Sequence, residues 1–313
     1  MTLATRGALL VRLCNWVGEV VLSLPALRRL EAAGYALHLY GKGWAPALLA
    51  GTGYPVTVRH GGLAAATSQL RALRRQLARD CPQAPPRSLL ITRSLSSAME
   101  TRLAGLRPSG YAYDGRSLLL QHAYPRPRGL HAAQEYWHLV SCFLGREAPF
   151  PQAVGFVASA AQHAQASALL AAQGLHEGGY LLFCPFSGAD DHEDRKVWPG
   201  FAALAARLQQ QGRRIVVCPG PGEEAAAAAR VPGAVLLNGV DMGVYGALLR
   251  AARAVLANDT GPGHLAAATG VPLVSLYGPR SVAAWAPLGP NVQLLHDTAG
   301  WPSVEQVAAL LPG

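Results

Sequence analysis

An apolar run, Ala254-Val255-Leu256-Ala257, ends abruptly in Asn258-Asp259-Thr260-Gly261, and Leu265 to Thr269 then reads as a helix. A carboxylate, a hydroxyl and two glycines therefore stand where a buried strand hands over to a helix. Open α/β sheets bind ligands at such places, because the helix N-terminus offers unpaired backbone N–H groups to an anion. His264, in the Gly-Pro-Gly-His turn, is placed to touch the same ligand or to serve as a buried structural histidine. A second handover follows Leu13, in CNWVGEVVLSLPALRRL, where Gly18 lets the backbone turn and Glu19 enters the first helical turn. Glu19 has two readings: a carboxylate favoured by the helix dipole, or a cleft-facing general base.

Three more segments carry polar groups at strand ends. FCPFSGADDHEDRKVWPGFAALA runs from a strand through a polar loop into a helix with Pro199 near its start. Lys196 in this loop is one of only two lysines, the other being Lys42, in a chain with 25 arginines. Its ammonium suits a diphosphate, or is a solvated partner of Asp190, Asp191, Glu193 and Asp194. Ser187 and Gly188 add a hydroxyl and backbone N–H groups. In VCPGPGEEAAAAAR, Glu223 and Glu224 either favour the helix start or hold ribose hydroxyls. Asp241-Met242 precedes a further helix, with Asp241 a natural cap.

These segments need a scaffold of alternating elements. Expected strands fall at 7–13, 36–40, 55–59 and 87–92, then at 179–184, 213–218, 234–237, 253–257 and 271–276. Helical patterns occupy 19–33, 44–51, 63–80, 96–105 and 131–144, then 159–173, 199–211, 222–230, 243–252, 262–269 and 303–311. Strands alternating with helices indicate parallel βαβ units. The proline-containing stretch 147–155 (EAPFPQAVG) separates two such series. The expectation is an α/β protein with two doubly wound domains, 1–152 and 153–313, facing across a cleft.

Composition limits what these domains do. Half of the 313 residues are hydrophobic and only 14% are charged, which supports an extensive core and excludes a disordered chain. No apolar run approaches the ~18 residues of a membrane span. The N-terminal segment is interrupted by Arg12, Asn15 and Glu19, and reads as a buried strand rather than a signal peptide. Cysteines 14, 81, 142, 184 and 218 form no CxxC pair, which points to the reduced cytosol rather than to a disulfide framework or zinc site. The G-x-G-x-x-G, P-loop, H-E-x-x-H and G-x-S-x-G patterns are absent, and no histidine cluster suggests a metal.

Net charge is +9, unevenly spread. Residues 1–155 hold 18 Arg and Lys against 7 Asp and Glu, whereas residues 156–313 hold 9 against 11. Either the first half faces a polyanion or the excess reflects solvated arginines alone. Nucleic acid is the weaker use of the charge, since aromatic and basic residues do not interleave.

Taken together, VRLCNWVGEVVLSLPALRRL and ANDTGPGHLAAATGVPLVSLYGP resemble glycosyltransferase family 9, the bacterial ADP-heptose:lipopolysaccharide heptosyltransferases. LLITRSLSSAMETRLAGLRPSGY looks like the family's strand, Ser-rich loop and helix, and KVWP like its Lys-x-Trp-Pro. The resemblance spans nearly the whole chain. It implies a GT-B fold of two Rossmann-like domains, with acceptor on the first and nucleotide-sugar on the second. Asp259, Thr260, Gly261 and His264, with Ser187, Gly188, Glu223 and Met242, would bind the donor. Lys196 would neutralise the leaving diphosphate, without a metal or any cofactor beyond the nucleotide-sugar co-substrate.

The family's base is an Asp at the position matched by Glu19. Glu retains the carboxylate but extends it by a methylene, and a misplacement near 1 Å can cost ~10²-fold in rate. The resemblance still implies Glu19 as base for inverting attack on the donor, with an altered acceptor or a weakened enzyme as the consequence of the departure. The implied acceptor is an anionic lipopolysaccharide inner core, met by Arg93, Ser94, Ser96 and Ser97. The implied location is the cytoplasmic face of the inner membrane, held peripherally by basic charge. Two rivals share the fold: a nucleotide-sugar epimerase and a non-catalytic nucleotide-sugar binder.

Overall fold

A computed structural model describes residues 6–186, 197–278, 283–297 and 300–312. The chain divides into two compact units, Met1–Leu49 with Gly53–Pro151, and Ala50–Thr52 with Gln152–Gly313. In the first unit the strands are β1 (Ala8–Arg12), β2 (Ala36–Gly41), β3 (Val56–Val58), β4 (Arg87–Leu90), β5 (Pro108–Tyr111) and β6 (His122–Tyr124). Helices α1 (Val17–Ala32), α2 (Ala45–Leu49), α3 (Leu63–Asp80), α4 (Leu95–Leu103) and α5 (Ala132–Leu144) connect or follow them. The sheet order is β3-β2-β1-β4-β5-β6, with every pairing parallel.

The second unit contains α6 (Ala160–Ala172), β7 (Leu181–Cys184), α7 (Phe201–Gln210), β8 (Ile215–Val217), α8 (Glu224–Arg230), β9 (Val235–Leu236) and α9 (Met242–Ala251). β10 (Ala254–Asn258), α10 (Gly261–Thr269), β11 (Leu273–Tyr277), β12 (Val292–His296) and α11 (Val304–Leu310) complete it. Its order, β12-β11-β10-β7-β8-β9, is also parallel throughout. Counted from its own first strand, it repeats the first unit's order read from the other side. Both are therefore the doubly wound Rossmann arrangement. The switch point lies between β1 and β4 in one unit, and between β7 and β10 in the other.

The central strands β1, β7, β10 and β11 are buried along their whole length, as expected of parallel strands covered on both faces. Three strands escape the pattern read from the sequence. β5 opens on Pro108 and includes Ser109 and Gly110, residues that signal turns. β6 and β12 are edge strands with largely exposed side chains, so they lack the apolar alternation that marks a buried strand. Their pairing supplies the hydrogen bonds that their composition does not advertise.

In the second unit, Trp198 is 2% exposed and lies in a core with Phe183, Phe201, Leu204 and Leu256. Its ring meets Phe201 edge-on at 5.3 Å, and its Nε1–H donates to the carbonyl of Pro302 at 2.8 Å. Truncating it removes packing and strands that carbonyl. Trp198→Ala is expected to cost the second unit ~3–5 kcal/mol, read as an earlier urea transition, whereas Trp198→Phe costs less.

Candidate functional site

In the first unit the polar groups gather at the carboxyl edge of the sheet. β1 ends at Arg12, and α1 starts after Trp16, an N-cap with extended backbone and no side-chain cap bond. Glu19 is the third residue of α1, from which a carboxylate reaches back towards the N-cap, and the Trp16 backbone N–H does hydrogen-bond it. The cap and base readings of Glu19 thus concern the same oriented carboxylate. Its Oε1 also accepts from the Tyr136 hydroxyl at 3.3 Å and lies 3.8 Å from Arg93 Nη2. Burial raises the Glu19 pKa above the ordinary carboxylate range; Arg93, Tyr136 and the Trp16 N–H offset only part of that effect.

Arg93 is shared. Its Nη1 lies 3.5 Å from Glu135 in α5, and Glu135 also receives Arg126 at 2.8 and 3.1 Å. The chain Glu19–Arg93–Glu135–Arg126 thus joins loops after β4 and β6 to the first turns of α1 and α5. Tyr136 takes part as well, with the Cys14 thiol 3.5 Å from its hydroxyl. Burial pushes the Cys14 thiol up to about 12, with Glu19 adding to the effect, so it remains protonated and is no nucleophile.

Two buried arginines hold the backbone of this site. Arg12, 5% exposed, contacts Glu100 at 3.4 Å, donates to Asn15 Oδ1 at 3.1 Å and also reaches the Leu13 carbonyl. Glu100 is balanced by a second cation, Arg59, at 3.0 Å. Arg116 is fully buried and donates to the carbonyls of Tyr111 at 2.9 Å and Thr92 at 2.7 Å. It therefore clamps the strand end that carries Arg93. Burial, reinforced by Arg93, lowers its pKa to about 10. Asp114 at φ +45 and Gly115 at φ +71 form the left-handed turn that delivers it, an uncommon conformation for a residue with a Cβ.

The Ser-rich loop has a local structural role. Ser94 caps α4, accepting from the Ser97 N–H at 3.3 Å. Ser97 is buried, and its hydroxyl donates to the Ser94 carbonyl at 2.7 Å. Ser96 is exposed beside Ser94. Arg93 is thus the member of this group tied directly to Glu19.

The second unit has its own pocket, about 180 Å³, at the carboxyl ends of β7, β8 and β10. Cys184 at the end of β7 and Phe186 just after it line the pocket, with Cys218 after β8, Met242 and Tyr245 from α9, and Thr260 at the start of α10. Of the residues expected to meet a donor, Glu223, Met242 and Thr260 line this pocket. Glu223 also accepts from the Gly220 N–H at 2.8 Å, closing the turn before α8. Asp241 caps α9 through the N–H groups of Gly243 and Val244, both at 2.9 Å.

Asp259 follows β10 and accepts from the Tyr277 hydroxyl at 3.0 Å. Thr260 is the N-cap of α10, with its side chain making no cap bond. Gly261 opens that helix and His264 is buried within it. Asn258 Oδ1 accepts from the Trp198 N–H at 3.1 Å, tying the Val197-Trp198-Pro199 segment to the end of β10. Ser187, Gly188 and Lys196 lie outside the described residues. Among the described residues, no group of three His, Cys, Asp or Glu side chains converges as a metal site. No described helix is long and apolar enough to cross a membrane.

Sequence reasoning missed Arg116, Glu135, Arg126 and Tyr136. Glu135 carries the first-turn acidic signal that Glu19 carries, but nothing local says that two arginines converge on it. The second pocket's Cys184, Phe186 and Tyr245 read as ordinary core residues.

Two doubly wound parallel units with polar groups at the carboxyl edges of their sheets define a scaffold of the GT-B type. The sequence model of glycosyltransferase family 9 (heptosyltransferase) matches residues 71–310, and the chain belongs to that family. A family 9 glycosyltransferase from Veillonella parvula DSM 2008 is similar in structure, with TM-score 0.81 and 19% identity over 96% of this chain and 88% of that one. The ADP-heptose LPS heptosyltransferase II of E. coli is similar at TM-score 0.77 and 20% identity, covering 97% and 98%. The E. coli heptosyltransferase WaaC with ADP is similar at 0.74 and 20%, covering 96% and 98%. These solved structures share the GT-B-type fold. No curated protein matches the sequence significantly.

The raised Glu19 pKa makes a stability prediction. A carboxyl group with a raised folded-state pKa contributes stability below its unfolded pKa, and that stability is lost as pH rises through the folded value. Glu19→Gln, neutral at every pH, is therefore expected to melt higher than the wild type near neutral pH. The difference should shrink towards about pH 4, the ordinary carboxylate range. Thermal melts across this pH range check it.

Proposed function

We propose that the protein transfers a heptose from a nucleotide-sugar, ADP-heptose, to a hydroxyl of an anionic lipopolysaccharide inner core, inverting the anomeric centre. The observation carrying this reading is the Glu19 carboxylate, oriented at the carboxyl edge of the first sheet by Arg93, Tyr136 and Trp16. A base must be oriented and is more effective as its pKa approaches the working pH; burial shifts the Glu19 pKa upward, in that direction. Glu19 removes the acceptor hydroxyl proton as its oxygen attacks the anomeric carbon. The bond to the diphosphate breaks, and the nucleoside diphosphate leaves.

In this proposal, residues 1–152 bind the acceptor and residues 153–313 the donor. Family membership and the pocket at the second sheet's carboxyl edge support that division. At about 180 Å³ the pocket suits one ring of the donor rather than all of it, since whole-ligand sites run to ~300 Å³ or more. Glu223, Met242 and Thr260 meet the nucleoside there, while Asp259, Gly261, His264, Ser187 and Gly188 act towards the diphosphate and sugar. Lys196 and the N–H groups opening α10 stabilise the leaving diphosphate without a metal or other cofactor. Arg93 then has two tasks, holding Glu19 and attracting the anionic acceptor; Ser94 and Ser97 support it through the α4 cap, and Ser96 reaches the acceptor. The protein works at the cytoplasmic face of the inner membrane, without nucleic acid.

The test is mass spectrometry of a heptose-deficient inner-core glycolipid incubated with ADP-heptose and the purified protein. One added heptose is expected; an unchanged glycolipid rejects the acceptor assignment, and donor isomerised without acceptor favours an epimerase. Glu19→Gln is expected to lower kcat by roughly 10²–10⁴ while donor affinity is retained. For the wild type, the acid limb of kcat/KM should lie above the ordinary carboxylate range, and Arg93→Gln should move it higher still by removing a charge that lowers the Glu19 pKa. Met242→Arg, which fills the second unit's pocket with a charged side chain, is expected to raise the donor KM by about tenfold, a loss near 1.4 kcal/mol.

A further inference from the structure

The basic excess of the first half has a second focus, away from Glu19. Arg87 opens β4, Arg107 immediately precedes β5 and His122 opens β6, all at the amino edge of the first sheet. Arg74 and Arg75 of α3 reach the same place, and these five side chains line a pocket of about 620 Å³. That is the size of a small-ligand site, ~300–1,000 Å³. Among the described residues, no carboxylate lines it, and the ion pairs of this unit engage Arg12, Arg59, Arg93 and Arg126.

Neutral partners hold two of the guanidinium groups in place. Arg87 lies 4.2 Å from the ring centroid of Phe143 and donates to the Tyr35 hydroxyl at 2.5 Å. Arg74 donates to the Gly105 carbonyl at 3.2 Å. Gly105 has φ +78, and a Cβ there would stand 2.7 Å from Arg74 Nη1, so the glycine serves both the turn and the seat of the arginine. Each guanidinium has five N–H donors, and these contacts use few of them. Arg75 and Arg107 are exposed at the rim.

Four cations around one hollow repel each other unless an anion enters, and the planar fork of arginine matches phosphate oxygens in pairs. We propose that this pocket is a binding site for a phosphate monoester, distinct from the site around Glu19. The two lie at opposite edges of one sheet, about 13 Å apart along the four residues of β4 at ~3.3 Å per residue. The phosphate belongs either to a soluble ester or to the headgroup of an anionic lipid, which would hold the protein on a membrane surface. The inference stands independently of the transferase reading.

The test uses the full chain and two probes: glycerol phosphate, by calorimetry, and phosphatidylcholine vesicles with or without phosphatidic acid, by co-sedimentation. Arg75→Glu/Arg107→Glu is compared with Arg128→Glu/Arg250→Glu, an equal charge change at exposed positions that do not line the pocket. Gly105→Ala, which displaces Arg74, is a third variant, and melting curves establish that each is folded. The pocket pair is expected to weaken binding at least tenfold, Gly105→Ala severalfold, and the control pair less than twofold. Binding of glycerol phosphate identifies a soluble ester as sufficient; binding of phosphatidic acid vesicles alone identifies the lipid. Wild type that binds neither probe, or a control pair that loses as much as the pocket pair, overturns the proposal.

Discussion

The carboxylate of Glu19 is largely withdrawn from water, and a buried charge persists only where hydrogen bonds and an opposite charge replace its hydration. Arg93, Tyr136 and the Trp16 N–H do so in part, and much of the first unit serves to hold them. Arg116 clamps the strand end before Arg93, Glu135 takes the other side of the Arg93 guanidinium, and Arg126 balances Glu135. On the other flank, Arg12 and Arg59 share Glu100 and fix the turn between β1 and α1. The compensation is incomplete, so this carboxylate takes up a proton more readily than one in water.

The two units answer one topological constraint in the same way. Parallel strands need crossovers, and in a doubly wound sheet the crossovers leave to opposite faces at the point where the strand order reverses. Turns after β1 and β4 therefore gather beside each other in the first unit, as do those after β7 and β10 in the second. Glu19 and Arg93 come from the first pair. Cys184, Phe186 and Thr260 come from the second. Residues about 75 positions apart in each unit become neighbours for the same reason, with no similarity between the groups they present.

The arginine-rich composition takes several physical forms. Arg116 and Arg12 act as buried cross-braces for carbonyl groups, Arg29 stacks on Trp137 at 4.5 Å, and Arg93 and Arg126 pair with carboxylates. A lysine ammonium lacks the planar fork needed to bridge separate carbonyls or stack on a ring. Net charge thus says less about function than the placement of each guanidinium, since some of the excess is consumed in building the fold.

The order of strands and helices follows from local pattern. Apolar runs such as LLV and AVLA alternate with amphipathic helices, and glycine turns mark their ends, so the doubly wound class and the strand-to-helix handovers at Glu19 and Asp259 are legible from sequence alone. The edge strands β6 and β12 are not, because their pairing depends on neighbours rather than on their own side chains. Nor is the network that converges on Arg93. Glu135 lies 42 residues from it, and the choice of Arg116 rather than any other arginine as a buried clamp depends on which hollow the folded backbone leaves. Sequence determines where a carboxylate can stand; tertiary structure decides what surrounds it, and the surroundings set its charge.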